Sequence, residues 1–208
     1  MSEPVRRSPL ARMHSDLGAT VELEAAWELV GSYGDVDAER AMLRETVVVV
    51  DVTARAKVDV RGDLDGALSV AGDALTARIA HDWALVLGEP GGEEVLLPKM
   101  EQAAGPASMV TDATHLFAGF ALAGPMLLDA VARLTSWDAA SLPRGEATGA
   151  PIADVRAVVV RRDLDVDVLE ILVATEFARY AWWTIVDAAG RVGGGPAGWR
   201  ALRAEGWS

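Results

Sequence analysis

The sequence of 208 residues contains no cysteine. This absence excludes disulfide bonds, thiolate metal sites, iron–sulfur clusters and cysteine nucleophiles together. No apolar run approaches the roughly 18 residues that a membrane-spanning helix requires. The first residues include arginines but no apolar segment behind them, which is not the pattern of a secretory signal. We therefore expect a soluble chain in the cytoplasm with no membrane partner.

Positive charge is also scarce, because 31 acidic residues face 19 basic ones and the formal net charge is −12. A nucleic-acid-binding protein normally carries a basic stripe that neutralises phosphates. No such stripe is visible, so we expect no nucleic-acid partner. Hydrophobic residues make up 51% of the chain, which provides enough material for the core of one large domain.

Motifs for metal binding and for hydrolysis are missing as well. The three histidines, His14, His81 and His115, do not stand at the spacing with which a helix presents metal ligands. No G-x-S-x-G segment supports a serine hydrolase. Residues 193–196, Gly-Gly-Gly-Pro, lack the lysine and the Ser/Thr of a phosphate loop, and we interpret them as a flexible linker. We expect no metal site.

What is present is a weak internal repeat. Residues 51–53 read Asp-Val-Thr and lead into an alternating strand that ends at Gly62. Residues 112–114 read Asp-Ala-Thr and lead into a strand that ends at Gly124. In each unit a short helix, two strands and a second helix follow, which is the β-α-β-β-α order of a split βαβ motif. The sequence therefore predicts an α+β fold with two ferredoxin-like halves.

The predicted segments divide a single domain, residues 1–208, into a lead-in at 1–50, a first half at 51–111 and a second half at 112–208. We expect the lead-in to be helical or irregular, with Asp35 capping a helix at 36–45. The predicted strands and long helices after the lead-in are 75–79, 83–87 and 93–104 in the first half, and 152–161, 166–173 and 176–189 in the second.

Glu170 is a candidate binding residue because it lies among apolar neighbours in a predicted strand. Alternation places it on the same face as Val168 and Leu172. A buried carboxylate needs hydrogen-bond donors, and a ligand with two parallel N–H groups, such as the 2-amino-4-oxo face of a pterin, would supply them. Alternatively, Glu170 faces solvent or pairs with Arg161 across the hairpin.

Trp27 and Tyr33 form a second candidate. Both lie in the lead-in, outside the predicted regular elements. A flat heteroaromatic ligand would gain from contact with these rings, and an aromatic plug that closes the core would explain them equally well.

Several segments, in their shared order, resemble the folate-binding domain of the glycine-cleavage T-protein family. The segments that carry the resemblance are Ser-Pro-Leu at 8–10, His14, Leu-Gly-Ala at 17–19, Ala-Trp-Glu at 26–28, Tyr-Gly at 33–34, Asp-Val-Thr at 51–53, Leu-x-Gly-Pro at 122–125, Leu-Glu-Ile at 169–171, Pro-Ala-Gly at 196–198 and Leu-Arg-Ala-Glu at 202–205. The resemblance covers nearly the whole chain.

The resemblance implies two interlocked ferredoxin-like halves that hold tetrahydrofolate in a central hole. It places the pterin-binding glutamate of the family at Glu170, and it places Trp27, Tyr33 and Arg203 in segments near the folate. The implied function is one-carbon transfer, of a methyl or aminomethyl group, from an amine-type donor to tetrahydrofolate.

The chain also departs from the family pattern. The catalytic aspartate of the family has no counterpart between Asp63 and Thr111, so the catalytic residue is unassigned and Asp51 and Asp112 are open candidates. The shortened plan resembles the gamma subunit of heterotetrameric sarcosine oxidase, an accessory subunit. The alternative function is therefore that of a non-catalytic accessory subunit with a larger flavin- or folate-dependent partner.

Overall fold

The structure is a computed structural model, and it describes residues 4–207. The helices are α1 (Ala11–Asp16), α2 (Val36–Glu45), α3 (Asp65–Leu68), α4 (Glu93–Ala103), α5 (Leu127–Val131), α6 (Ala178–Gly190) and α7 (Trp199–Arg203). The strands are β1 (Arg6–Arg7), β2 (Thr20–Glu24), β3 (Trp27–Ser32), β4 (Val48–Asp51), β5 (Arg55–Gly62), β6 (Leu75–Ala80), β7 (Trp83–Pro90), β8 (Ser108–Asp112), β9 (Phe117–Ala123), β10 (Ala147–Ile152), β11 (Val155–Arg161), β12 (Val168–Ala174) and β13 (Gly195–Pro196). Within this part of the chain, no helix is long and apolar enough to cross a membrane.

The first half forms a four-stranded sheet in the order β6-β7-β5-β8. Its neighbouring strands are antiparallel, and α3 and α4 cover one face. Val58 and Val60 of β5 alternate toward that face and share a buried cluster with Met100 of α4, because strand residues two apart point to the same side. This is the strand order of a ferredoxin-like unit, as the repeat predicts.

The second half forms a six-stranded sheet in the order β10-β11-β12-β9-β4-β13. Strand β4 precedes the first half in sequence but pairs with β9 of the second half, and this pairing interlocks the two units. Helices α5 and α6 cover one face, where Phe120, Trp182 and Ile185 belong to a single buried cluster. The α+β prediction with two ferredoxin-like halves is confirmed.

The prediction of a helical or irregular lead-in is wrong in part. Strands β1, β3 and β2 form a three-stranded sheet in this segment. The turn between β2 and β3 consists of Ala25 and Ala26, both with positive φ angles of 45° and 63°. Tight hairpins normally announce such backbone angles with Gly or Asn, so the sequence carries no signal for this turn. The helix at 36–45 is confirmed, and the Asp35 carboxylate accepts from the N–H groups of Asp37 and Ala38.

A second hairpin also turns at non-glycine residues with positive φ angles. The strand predicted at 152–161 begins only at Val155, as β11, and β10 before it lies almost entirely outside the predicted range. The two strands turn at Ala153 and Asp154, with φ angles of 49° and 60°. Strand β8 was also absent from the predicted elements.

The interpretation of residues 193–196 as a flexible linker is wrong. Gly195 and Pro196 form β13, which pairs in parallel with Val48 and Val49 of β4. A Cβ atom on Gly194 would lie 2.0 Å from the carbonyl oxygen of Val47. A glycine stands there because the two backbones approach closely.

Candidate functional site

Glu170 lies at the middle of β12, opposite Val160 of β11 and Ala121 of β9. Its side chain is fully buried. Leu169 and Ile171 point to the cluster beneath α5 and α6, so Glu170 points to the opposite face, toward the first half. Both faces of this strand are therefore covered.

Two arginines of the same chain supply the donors that the buried carboxylate needs. Arg55 Nη1 lies 2.5 Å and Arg162 Nη1 lies 2.6 Å from Glu170 Oε1. Arg55 also donates from Nε to the carbonyl oxygen of Gly88 at 3.1 Å. The solvent-exposed alternative for Glu170 is therefore wrong, and so is the pairing with Arg161, which binds Asp167 instead.

The resulting Arg–Glu–Arg triad carries one net positive charge. The Trp207 ring covers it, with its centroid 4.4 Å from Cζ of Arg162 and 5.5 Å from Cζ of Arg55. An aromatic face attracts a guanidinium electrostatically, most strongly where water is excluded. Trp207 is itself buried, so the triad is closed on this side by a side chain of the same protein.

Lys57 lies fully buried near the triad. Its Nζ donates to the carbonyl oxygens of Thr53 and Arg55, both at 2.8 Å. Burial lowers the pKa of the Lys57 ammonium to about 7, and this effect outweighs the attraction of the Glu170 and Asp51 carboxylates. Lys57 therefore loses its proton at a lower pH than an ordinary lysine does.

The arrangement matches a pterin only in part. Oε1 of Glu170 already accepts two guanidinium groups, whereas Oε2 has no hydrogen-bond partner in the described part of the chain. A pterin that offers two parallel N–H groups needs both carboxylate oxygens. While both arginines keep their positions, only one of the two pterin N–H groups would find an acceptor oxygen. The residues present therefore do not fit a pterin completely.

A cleft of about 370 Å³ lies beside the triad. Its walls include Arg55 and Arg162 as well as Leu87 and Glu89, but not Glu170. A ligand in this cleft would therefore meet the guanidinium groups first and would not reach the carboxylate behind them.

Trp27 is buried, and the ring of His115 stacks on it with centroids 5.2 Å apart and an interplanar angle of 26°. Its indole N–H has no hydrogen-bond partner among residues 4–207. Trp27 also belongs to the cluster that contains Trp199 and Trp207, as the plug interpretation expects.

Tyr33 belongs to a hydrogen-bonded network that sequence reasoning did not find. Asp51 Oδ2 accepts from Ser8 Oγ at 2.5 Å and lies 2.9 Å from His14 Nε2, while Oδ1 accepts from the N–H of Thr53 at 2.9 Å. Because a carboxylate only accepts, His14 Nε2 is the donor to Asp51, and Nδ1 of the same ring lies 2.7 Å from Tyr33 Oη. The network ties α1 and β3 to β4.

The electrostatics fix Asp51 as an anion. Burial raises the pKa of the Asp51 carboxyl, but the hydrogen bond and charge of His14 and the donors of Ser8 and Thr53 outweigh it, and the net shift is downward. Burial, with the nearby Asp51 and Glu39 charges, raises the pKa of the Tyr33 hydroxyl. Both groups therefore keep their ordinary ionisation state at neutral pH. The only sequence signal for this network is the order of the 8–10, His14 and 51–53 segments, which does not reveal their contact.

Arg203 lies on α7 and forms two parallel hydrogen bonds of 2.8 Å with the carboxylate of Glu24. Its guanidinium also lies over Trp199, 4.9 Å from the ring centroid. Side-chain hydrogen bonds and ion pairs within residues 4–207 do not link Glu170, Trp27, Tyr33 and Arg203 to one another. Residues 4–207 contain no group of three or more His, Asp or Glu side chains placed to hold a metal ion.

No protein-family model matches the chain, and no curated protein matches it. Among solved structures, it is similar to the glycine cleavage system aminomethyltransferase T from Bartonella henselae, with a TM-score of 0.81 and 19% identity over 97% of this chain and 62% of that chain. It is also similar to a chain of heterotetrameric sarcosine oxidase from Corynebacterium sp. U-96, with a TM-score of 0.65 and 16% identity over 90% of this chain and 96% of that chain.

These similarities confirm the T-protein fold that the motifs predicted. The chain spans about three-fifths of the T-protein chain, as the 62% coverage states, and nearly all of the sarcosine oxidase chain.

Proposed function

We propose that this chain is a non-catalytic accessory subunit with a T-protein fold, which works in the cytoplasm within a larger flavin- or folate-dependent enzyme that acts on an amine-type donor. The observation that carries the proposal is the pairing of Glu170 with Arg55 and Arg162 of its own chain. The resemblance assigns the pterin to this carboxylate, and here internal guanidinium groups fill the role of the ligand's donors.

The aspartates that remain as acid–base candidates support the same proposal. Asp51 is held ionised by donors of its own chain, so it has no proton to give as a general acid. Asp112 is exposed, and its carboxylate accepts from the N–H of Thr114 at 2.8 Å. Neither lies in the cleft beside the triad.

One structural neighbour supports the same proposal. The sarcosine oxidase chain with this fold comes from a heterotetrameric enzyme. A chain with this fold therefore has a precedent as a subunit.

The test is purification of the tagged full chain from the organism that encodes it, followed by native mass spectrometry and an assay of one-carbon transfer to tetrahydrofolate. The proposal predicts a complex of fixed stoichiometry with a larger chain and no turnover by the isolated protein. A strictly monomeric protein that turns over unaided would rule the proposal out.

A second candidate, folate binding followed by methyl or aminomethyl transfer, is favoured by one observation. Glu170 Oε2 lacks a partner among the described residues, and a buried carboxylate oxygen normally has one. The candidate predicts that tetrahydrofolate quenches tryptophan fluorescence in the wild type and in the control Glu176→Gln, an exposed position. Glu170→Gln should lose this response, and an equal response in both variants would reject the candidate.

A further inference from the structure

Helix α6 carries an aromatic stripe that the fold leaves in solvent. Phe177, just before the helix, and Tyr180 and Trp183 within it expose 43%, 50% and 52% of their surfaces. They are spaced three residues apart, so they lie along one side of the helix. Trp182, on the opposite side, is fully buried. Exposed aromatic clusters of this kind typically mark binding surfaces.

A groove of about 420 Å³ adjoins the stripe, between α1 and α6. Its apolar walls are Pro9, Met13, Leu17 and Trp183. Leu17 is 44% exposed. We define the α1–α6 face as this groove together with the aromatic stripe.

The charges on the α1–α6 face differ from those elsewhere. Arg12 and Arg179 line the groove with a single acidic residue, Asp16. Most arginines of this acidic chain form ion pairs with carboxylates, for example Arg161 and Arg191. Within residues 4–207, Arg12 and Arg179 have no ion-pair partner. The groove lining therefore has two basic side chains and one acidic side chain, on a chain of net charge −12.

From this combination we infer that the α1–α6 face binds an acidic amphipathic segment of a partner protein, with apolar side chains in the groove and carboxylates on Arg12 and Arg179. A helix with an apolar face fits such a groove, and Trp, Tyr and Arg are the residues that carry most binding energy at interfaces. A second copy fits less well, because a two-fold interface brings the same patch of both copies together. The arginine pair of one copy would then face the arginine pair of the other. The inference rests on the proposed function, since it assigns the surface through which the subunit docks.

The test uses the complex purified through the tagged full chain from the organism that encodes it. Trp183→Ala and the double variant Arg12→Glu/Arg179→Glu should each reduce the partner recovered per chain by about tenfold or more. Met109→Ala is the matched control, because Met109 is 56% exposed on β8 and lies outside the α1–α6 face. Circular dichroism should show equal melting temperatures, since the changed side chains are largely in solvent. Hydrogen exchange in the wild-type complex should slow in α1 and α6.

A stoichiometric complex that all variants retain, with slowed exchange elsewhere, would overturn the inference and leave the accessory-subunit proposal standing. If no complex forms at all, both fail together. A self-dimer that Trp183→Ala disrupts would overturn the partner assignment in favour of a second copy.

Discussion

Two buried carboxylates, Asp51 and Glu170, solve the same desolvation problem in different ways. Asp51 accepts hydrogen bonds from a serine hydroxyl, a histidine ring nitrogen and a backbone N–H, and both of its carboxylate oxygens accept at least one. Glu170 concentrates two guanidinium groups on one oxygen and leaves the other without a partner in the described residues. The first arrangement is complete within the chain, whereas the second keeps one acceptor open and one positive charge in excess.

The comparison teaches that burial alone does not identify a ligand site. A buried glutamate in an apolar strand requires donors, and sequence cannot say whether a ligand or the chain itself supplies them. Here the chain supplies them from β5 and from the residue after β11.

The largest expected effect is the loss of Glu170. Glu170→Ala leaves Arg55 and Arg162 buried without their shared anion, and removal of one partner from a buried ionic group costs about 3–5 kcal/mol. The triple variant Arg55→Met/Glu170→Leu/Arg162→Met should recover most of that loss, because no charge of the triad remains unpaired. Urea unfolding of the three proteins measures both effects. Equal stability of wild type and Glu170→Ala would show that the triad is not an electrostatic unit.

Asp51→Asn should cost less, about 1.5–3 kcal/mol, the contribution of one charged hydrogen bond, because the amide keeps one oxygen that accepts while its nitrogen cannot. The lowered pKa of Asp51 means that its contribution is present above the unfolded-state pKa and disappears as pH falls through the folded-state value. Acid titration of unfolding free energy should therefore fall more steeply for the wild type than for Asp51→Asn. Parallel curves would contradict this role.

Lys57 should make the stability of the protein depend on pH. Its pKa is about 7 in the folded protein and that of an ordinary lysine when unfolded, so the unfolded chain binds more protons between these values. Stability should therefore rise with pH above 7, by at most about 1.4 kcal/mol per unit from this group. Between pH 7.5 and 9.5, Lys57→Met should flatten the rise. A wild-type stability that stays constant or falls over this range, with the same trend in the variant, would refute the assignment.

The smallest effect belongs to an ion pair with ideal geometry but partial exposure. Arg203 and Glu24 form two parallel hydrogen bonds and keep 35% and 39% of their side-chain surfaces exposed. A double-mutant cycle with Arg203→Gln and Glu24→Gln should give a coupling of about 0.5–1 kcal/mol that weakens in salt. A coupling as large as that of the Glu170 triad would mean that burial is not what distinguishes them.

Much of the fold was predictable because it depends on periodicity. The alternating apolar residues of β5 and β12 and the repeat of Asp-x-Thr, strand and glycine predicted two ferredoxin-like halves. The lead-in sheet was missed because Ala25 and Ala26 adopt a turn that Gly or Asn usually marks. Residues 193–196 resemble a flexible linker in sequence, because a glycine required for close packing looks identical to one required for flexibility.

The candidate site was less predictable. Alternation assigns Glu170 to the same face of its strand as Val168 and Leu172 but leaves open whether that face is buried, and its partner Arg55 is 115 residues away in the chain. The Asp51 network likewise joins residues whose spacing carries no period. Such contacts depend on tertiary packing, which local pattern does not specify.

The central claim, that Glu170 is neutralised by its own chain, is tested most directly by calorimetric titration of the wild-type protein with tetrahydrofolate. The account predicts no saturable heat, because a pterin would need both carboxylate oxygens and Oε1 already accepts from two guanidinium groups. Saturable one-to-one binding that disappears in Glu170→Gln would contradict it.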